Sequence, residues 1–128
     1  MKQNILKEKS FAFAIRVVKL YQYLKTEKKE FVLSKQLLRS GTSIGAQIRE
    51  SGNAASKKDF IHQLTIALKE ADETAYWLEL LFKTEILNQK LYHSMIDNCN
   101  ELIKLLISSL KTVKQISGTM EKRTMDNE

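Results

Sequence analysis

Residues 33–51 decide the fold of this chain, and they read LSKQLLRSGTSIGAQIRES. Apolar residues recur in this stretch at the spacing of one helix face: Leu33, Leu37, Ile44 and Ile48. Its middle is nevertheless rich in Ser and Gly, and Gly in a helix interior costs about 1 kcal/mol relative to Ala. Gly41 and Gly45 therefore indicate that the backbone of another helix approaches closely at these positions.

The rest of the chain has the composition of an all-helical protein. It contains no proline and only four glycines. Its length of 128 residues fits one domain. The single cysteine, Cys99, excludes an internal disulfide.

Three further helices are predicted from apolar residues spaced three and four apart. The first runs from Asn4 to about Thr26, the third begins with Ser56 as its cap, and the fourth follows Asn88. Their predicted core stripes are Phe13, Val17, Leu20 and Leu24; Phe60, Leu64, Ala67, Ala71, Thr74, Leu78 and Leu81; and Tyr92, Ile96, Cys99, Ile103, Leu106, Leu110 and Val113.

Short connections between these helices predict antiparallel neighbours in a left-handed, up-down-up-down four-helix bundle. We expect the bundle to occupy residues 1–116. Residues 117–128 are mostly polar and lack a helical period, so they are predicted to form a flexible C-terminal tail. Small residues at the centre of the third helix are expected to pack against the small residues of the second.

The first helix carries a second apolar stripe beside its core stripe, formed by Phe11, Ala14, Val18 and Tyr21. Two adjacent stripes exceed what one bundle core covers, and an exposed apolar face marks an interface. The sequence therefore predicts a cyclic homo-oligomer, with the first helix and the start of the second in its contacts.

The positive charge lies in one half of the chain. Lys and Arg outnumber Asp and Glu by 11 to 4 in residues 1–55, whereas residues 56–128 carry 10 against 11. Cations of the first helix and the turn after it could meet nucleic-acid phosphates: Lys9, Arg16, Lys19, Lys25, Lys28 and Lys29. The alternative is that these side chains only keep the surface soluble.

Charged residues also bracket the Ser/Gly stretch. Arg39 and Glu50 are three helical turns apart and lie on nearly one face. The third helix offers Lys69, Glu70 and Glu73 as partners. We interpret these residues, together with Ser40, as a structural polar network between the second and third helices, the alternative being a ligand site.

The sequence argues against several classes of protein. A di-iron bundle needs two Glu-x-x-His motifs, but Asp59 and Lys90 precede His62 and His93 at that spacing. Cys99 lies on an apolar stripe, and no P-loop or nucleophile elbow is present. We expect no enzymatic activity, cofactor or metal. Apolar runs are too short for a membrane span or signal peptide, so a cytoplasmic protein without a membrane partner is expected.

The chain resembles the four-helix-bundle proteins known as 23S rRNA intervening-sequence proteins. The resemblance covers residues 31–50 and continues through KDFIHQLTIALKEA at 58–71 and ETAYWLELL at 73–81. The family pattern commonly reads Ala-Asn-Ile-x-Glu near the end of the second helix. This chain has Ala-Gln-Ile-Arg-Glu at 46–50, so Gln47 replaces the Asn and Glu50 is retained.

This resemblance implies a homopentameric ring of antiparallel bundles without catalytic residues. Related proteins are accessory subunits of diversity-generating retroelements, which bind nucleic acid and a reverse transcriptase. An RNA or DNA partner is therefore one expectation. A scaffold for a protein encoded nearby, without a nucleic-acid role, is the other.

Overall fold

A computed structural model of the chain describes the backbone of residues 2–126 and the side chains of residues 4–115. It contains four α-helices: α1 (Lys2–Thr26), α2 (Leu33–Ser51), α3 (Lys57–Lys83) and α4 (Gln89–Asp126). No strand occurs within these described residues. The predicted bounds of α1 and α2 and the predicted starts of α3 and α4 are confirmed to within a few residues, but α4 continues to Asp126, beyond the predicted end of the bundle at residue 116.

Local capping explains where α3 and α4 start. The Ser56 hydroxyl accepts a hydrogen bond from the Asp59 amide at 3.1 Å, and the Asn88 side chain accepts one from the Leu91 amide at 2.8 Å. Each bond satisfies one of the free amides of the first helical turn. Both caps were predicted from sequence.

The helices form an antiparallel ring in which each packs against its two neighbours. Across each seam of α1, residue numbers rise along α1 while those of the contacting residues on the neighbouring helix fall. Lys9 of α1 contacts Glu101 of α4, whereas Arg16 contacts Ser94 and Asn98. At the other side of α1, Val17 lies beside Gly41 and Ser10 lies beside Gly45. These pairings confirm the up-down-up-down bundle, and the α1–α4 seam is its most open one.

The core runs along the axis of the bundle and follows the predicted stripes of α1, α2 and α3 closely. The predicted α4 stripe is confirmed at Cys99, Leu106 and Leu110. Met95 and Leu102 are buried as well, whereas Ile96 and Ile103 are only half-buried. α4 is therefore rotated about its axis towards the side that carries Met95 and Leu102.

The expected tail, residues 117–128, lies outside the described side chains. The α4 backbone is described as far as Asp126. The boundary at residue 116 and the flexibility of the tail remain predictions.

Candidate nucleic-acid interface and helix-packing network

The predicted phosphate-binding residues Lys9 and Arg16 do not point freely into solvent, because both contact α4. The Lys9 ammonium lies 3.0 Å from a carboxylate oxygen of Glu101, and both side chains are about half exposed. This pair neutralises Lys9 at the α1–α4 seam. An ion pair so exposed contributes little to stability, typically about 0–1 kcal/mol.

Arg16 is held at the same seam by uncharged acceptors. Its Nη2 donates to the Ser94 hydroxyl at 2.8 Å, and Nη1 donates to the Ser94 carbonyl at 3.3 Å and to Oδ1 of Asn98. The side chain is half-buried. The guanidinium is therefore fixed in position, while its positive charge keeps no carboxylate partner among the described residues.

Lys19 is exposed one turn further along α1 and lines the same groove as Arg16. Leu20, Tyr23, Leu91 and Met95 complete this groove, which measures about 350 Å³. The groove at the α1–α4 seam is thus lined by two cations, an aromatic ring and three apolar side chains.

The remaining three predicted cations lie at the end of α1. Lys25 stands 5.5 Å from the centre of the Tyr21 ring, within the range of a cation–π contact. Lys28 and Lys29 are exposed in the α1–α2 turn, where Lys29 adopts a left-handed φ of 55°. Because Lys25 lies half a turn around α1 from Arg16, the six cations form two groups and not one continuous face.

The acidic residue of this turn, Glu30, is directed at α2. Its carboxylate accepts hydrogen bonds from the Ser34 amide at 2.8 Å and the Val32 amide at 3.3 Å. A carboxylate is stabilised at a helix N-terminus, where amides are free and the dipole is positive. Glu30 therefore serves the start of α2 and leaves Lys28 and Lys29 without an ion pair in the described structure.

Arg39 crosses from α2 to α3. It lies 3.3 Å from a carboxylate oxygen of Glu70 and forms a second ion pair with Glu73. The Trp77 indole donates to the same Glu73 oxygen at 3.0 Å, and Arg39 also donates to Gln36 at 3.3 Å. One cation thus meets two carboxylates in a compact network on the bundle surface, which leaves no free charge of Arg39 to attract a ligand.

A second polar contact joins α2 and α3 beneath this network. The hydroxyls of Thr74 and Ser40 are 2.9 Å apart, and both residues are fully buried. The Thr74 hydroxyl also lies 2.7 Å from the Glu70 carbonyl. Buried hydroxyls need such partners, and here they register α2 against α3.

The two glycines of α2 face α1, so the expected contact of small residues between α2 and α3 is made by Ser40 and Thr74 and not by the glycines. A Cβ at Gly41 would lie 2.8 Å from both γ carbons of Val17, and one at Gly45 would lie 3.4 Å from the Ser10 carbonyl oxygen. The carbonyl of Ala71 in α3 reaches α4, where it lies 3.3 Å from the Cys99 sulfur.

Glu50 lies away from the Arg39 network, contrary to expectation. It is exposed and lines a groove of about 410 Å³ between α1 and α2, together with Lys7, Phe11, Ala14, Thr42, Gly45, Ala46 and Arg49. Arg49 stands 5.4 Å from the centre of the Phe11 ring. Arg39 and Glu50 share one face of α2, but Arg39 contacts α3 whereas Glu50 borders the groove between α1 and α2.

The outer face of α1 remains apolar. Phe11 is 55% exposed, Ile15 44% and Val18 37%, and the three residues recur at i, i+4 and i+7. Phe31 and Val32, which precede α2, are exposed as well.

Two kinds of group could perform chemistry among the described residues, a reactive cysteine thiol and a cluster of metal ligands. Burial, with a smaller effect of the Asp72 charge, raises the pKa of Cys99 to about 12, so its thiol is protonated at neutral pH. No cluster of three metal-ligating side chains occurs within the described part of the chain. Nor does any helix described there have the length and apolarity needed to cross a membrane.

Sequence reasoning missed two residues of the α1–α4 seam, Ser94 and Asn98. They lie 78 and 82 residues from Arg16, and neither belongs to a recognisable motif. Only the packing of α4 beside α1 reveals their contact with Arg16.

The architecture places the chain among all-α, antiparallel four-helix bundles. A family model described as 23S rRNA-intervening sequence protein matches residues 2–108. The chain therefore belongs to the 23S rRNA-intervening sequence protein family.

One similar solved structure is a protein of unknown function from the S23 ribosomal protein family of Bacteroides thetaiotaomicron. It is 58% identical to this chain, with a TM-score of 0.86 over 87% of this chain and 99% of its own. A comparison with curated proteins returned no match.

Proposed function

We propose that the protein is a non-enzymatic, homo-oligomeric bundle that binds the phosphate backbone of RNA or DNA in the cytoplasm. One observation carries this proposal. Arg16, Lys19, Lys25, Lys28 and Lys29 have no carboxylate partner in the described structure, whereas Lys9 and Arg39 do. Cations that a protein leaves without a carboxylate partner attract polyanions.

Assembly would strengthen this attraction. The exposed apolar face of α1 is the surface best suited to contact another copy, and a closed ring requires each copy to offer two different faces. A ring would repeat the basic residues around one axis, so that several modest contacts add up along one strand of nucleic acid. A homopentamer is the assembly that the family resemblance implies.

The competing function is a scaffold for a protein encoded nearby. The exposed Phe31 and Val32 favour it, because apolar side chains next to a turn suit a protein partner. In this case the lysines would serve solubility alone.

Fluorescence anisotropy distinguishes these functions. Labelled RNA and DNA strands of unrelated sequence should bind with similar affinity at about 50 mM salt, since phosphate contacts carry no sequence information. Absence of binding to every strand under these conditions would contradict the proposal and favour the scaffold.

A further inference from the structure

We infer that Arg16 is a preorganised phosphate-binding residue for single-stranded nucleic acid, and that Asn98 is the residue that positions it. The inference rests on the proposed function and places the phosphate contact in the groove between α1 and α4. Two cations of α1 reach α4 there, and only one of them meets a carboxylate.

The two cations differ in their usefulness to a ligand. Lys9 is neutralised by Glu101 at 3.0 Å. Arg16 is bound by Ser94 and by the Asn98 amide, both of which accept hydrogen bonds without cancelling charge. These bonds hold the side chain in one orientation, so binding of a ligand does not carry the entropic cost of ordering it.

The surroundings of Arg16 indicate a single strand. Lys19 and Tyr23 follow at i+3 and i+7 on the same edge of the groove, with Leu20, Leu91 and Met95 in its floor. Cations that follow the backbone, beside an aromatic ring on which a base can stack, characterise proteins that bind single strands.

An acidic peptide could use the same cations, but it fits the groove less well. Nη1 and Nη2 of Arg16 already donate to Ser94 and Asn98, so a phosphate would meet the remaining N–H groups and the uncancelled charge of the guanidinium. Tyr23 offers a ring that a peptide carboxylate does not need. The acidic peptide is therefore an outcome that the experiment must detect.

Asn98→Asp tests the inference with almost no change of shape. The new carboxylate would pair with Arg16 and cancel its charge. Asn98→Asp and Arg16→Gln should each weaken binding of a labelled single-stranded RNA about tenfold, the effect of one lost charge-assisted contact. Binding of the matched duplex should change much less.

The chain offers a matched control. Asn100 is exposed on α4, about half a turn away from Asn98. Asn100→Asp adds the same charge with the same change of shape and should alter binding less than about twofold. The double variant Lys9→Gln with Glu101→Gln, which leaves the net charge unchanged, should bind as the unmodified protein does.

Equal effects of Asn98→Asp and Asn100→Asp would overturn the inference while leaving the proposed function in place. Binding of a poly-glutamate peptide that depends on Arg16, with RNA binding indifferent to it, would also overturn the inference. Absence of RNA binding by the unmodified protein would contradict the proposed function as well. If Asn98→Asp disturbs folding, Arg16→Lys decides, because Lys keeps the charge but cannot reproduce the guanidinium's bonds to Ser94 and Asn98. Single-strand binding weakened towards that of Arg16→Gln supports the inference, and binding as tight as that of the unmodified protein contradicts it.

Discussion

At the scale of single residues, Gly41 shows how the sequence sets the distance between helices. Because Gly41 has no side chain, Val17 of α1 can pack directly against its backbone. A Cβ at this position would lie only 2.8 Å from the γ carbons of Val17. Gly45 has more room, since the nearest atom to its Cβ would be 3.4 Å away. Two glycines of one motif therefore tolerate substitution differently.

We expect Gly41→Ala to lower the free energy of unfolding by about 1–3 kcal/mol, because Val17 or its helix must move. Gly45→Ala is the control and should be neutral or stabilising by up to about 1 kcal/mol, since Ala favours helix. Urea denaturation of both variants measures the difference. Equal stabilities would contradict the close approach at Gly41.

The positions of the glycines were predictable from sequence, but their partner was not. A Ser/Gly stretch on an apolar helix indicates that some backbone comes near, and the small residues of α3 made that helix the expected partner. The choice depends on how far α2 rotates about its axis, which is set by all of its contacts together. Similarly, α4 offers two apolar stripes, and Met95 and Leu102 are buried in place of Ile96 and Ile103 because of one such rotation.

At the scale of helices, α2 and α3 are joined by polar contacts at two depths. The Arg39 network lies at the surface, whereas Ser40 and Thr74 meet in the core. The buried pair has the larger energetic consequence, because an unpaired hydroxyl there has no access to water. Local sequence signals predicted the starts of α3 and α4 well, since caps depend on near neighbours, but contacts between helices depend on the assembled bundle.

Thr74→Val removes one hydroxyl at nearly constant volume and leaves that of Ser40 poorly paired. We expect it to destabilise the protein by about 1–3 kcal/mol. The double variant with Ser40→Ala should recover part of this loss, because no orphaned hydroxyl remains. A double-mutant cycle in urea denaturation measures this coupling. Strictly additive effects would contradict the contact.

At the scale of the whole molecule, the bundle covers one apolar stripe of α1 and leaves the other exposed. Phe11, Ile15 and Val18 lie on the exposed face of α1, and Phe11 also borders the groove between α1 and α2. The basic groups lie beside this face, at the α1–α4 groove and at the α1–α2 turn. Assembly through α1 and binding of a polyanion therefore concern neighbouring surfaces.

Light scattering coupled to gel filtration should give the unmodified protein a mass near five times the chain mass of 14.8 kDa. Ile15→Lys should dissociate this assembly, because it places a charge in the apolar interface. Ile107→Lys, at another exposed isoleucine on α4, should leave it intact. A monomeric unmodified protein at micromolar concentration would refute the predicted ring.

The dependence of nucleic-acid affinity on salt tests most directly whether the unneutralised cations bind phosphate. Affinity for unrelated single strands should fall steeply between about 50 and 200 mM salt, because each phosphate contact releases counterions. Replacing Lys19, Lys28 and Lys29 together by Gln should weaken binding to all strands alike. It should also reduce the slope of log affinity against log salt by up to about 2, while leaving the oligomer intact. An unchanged slope and affinity in this variant would contradict a role for these lysines in binding.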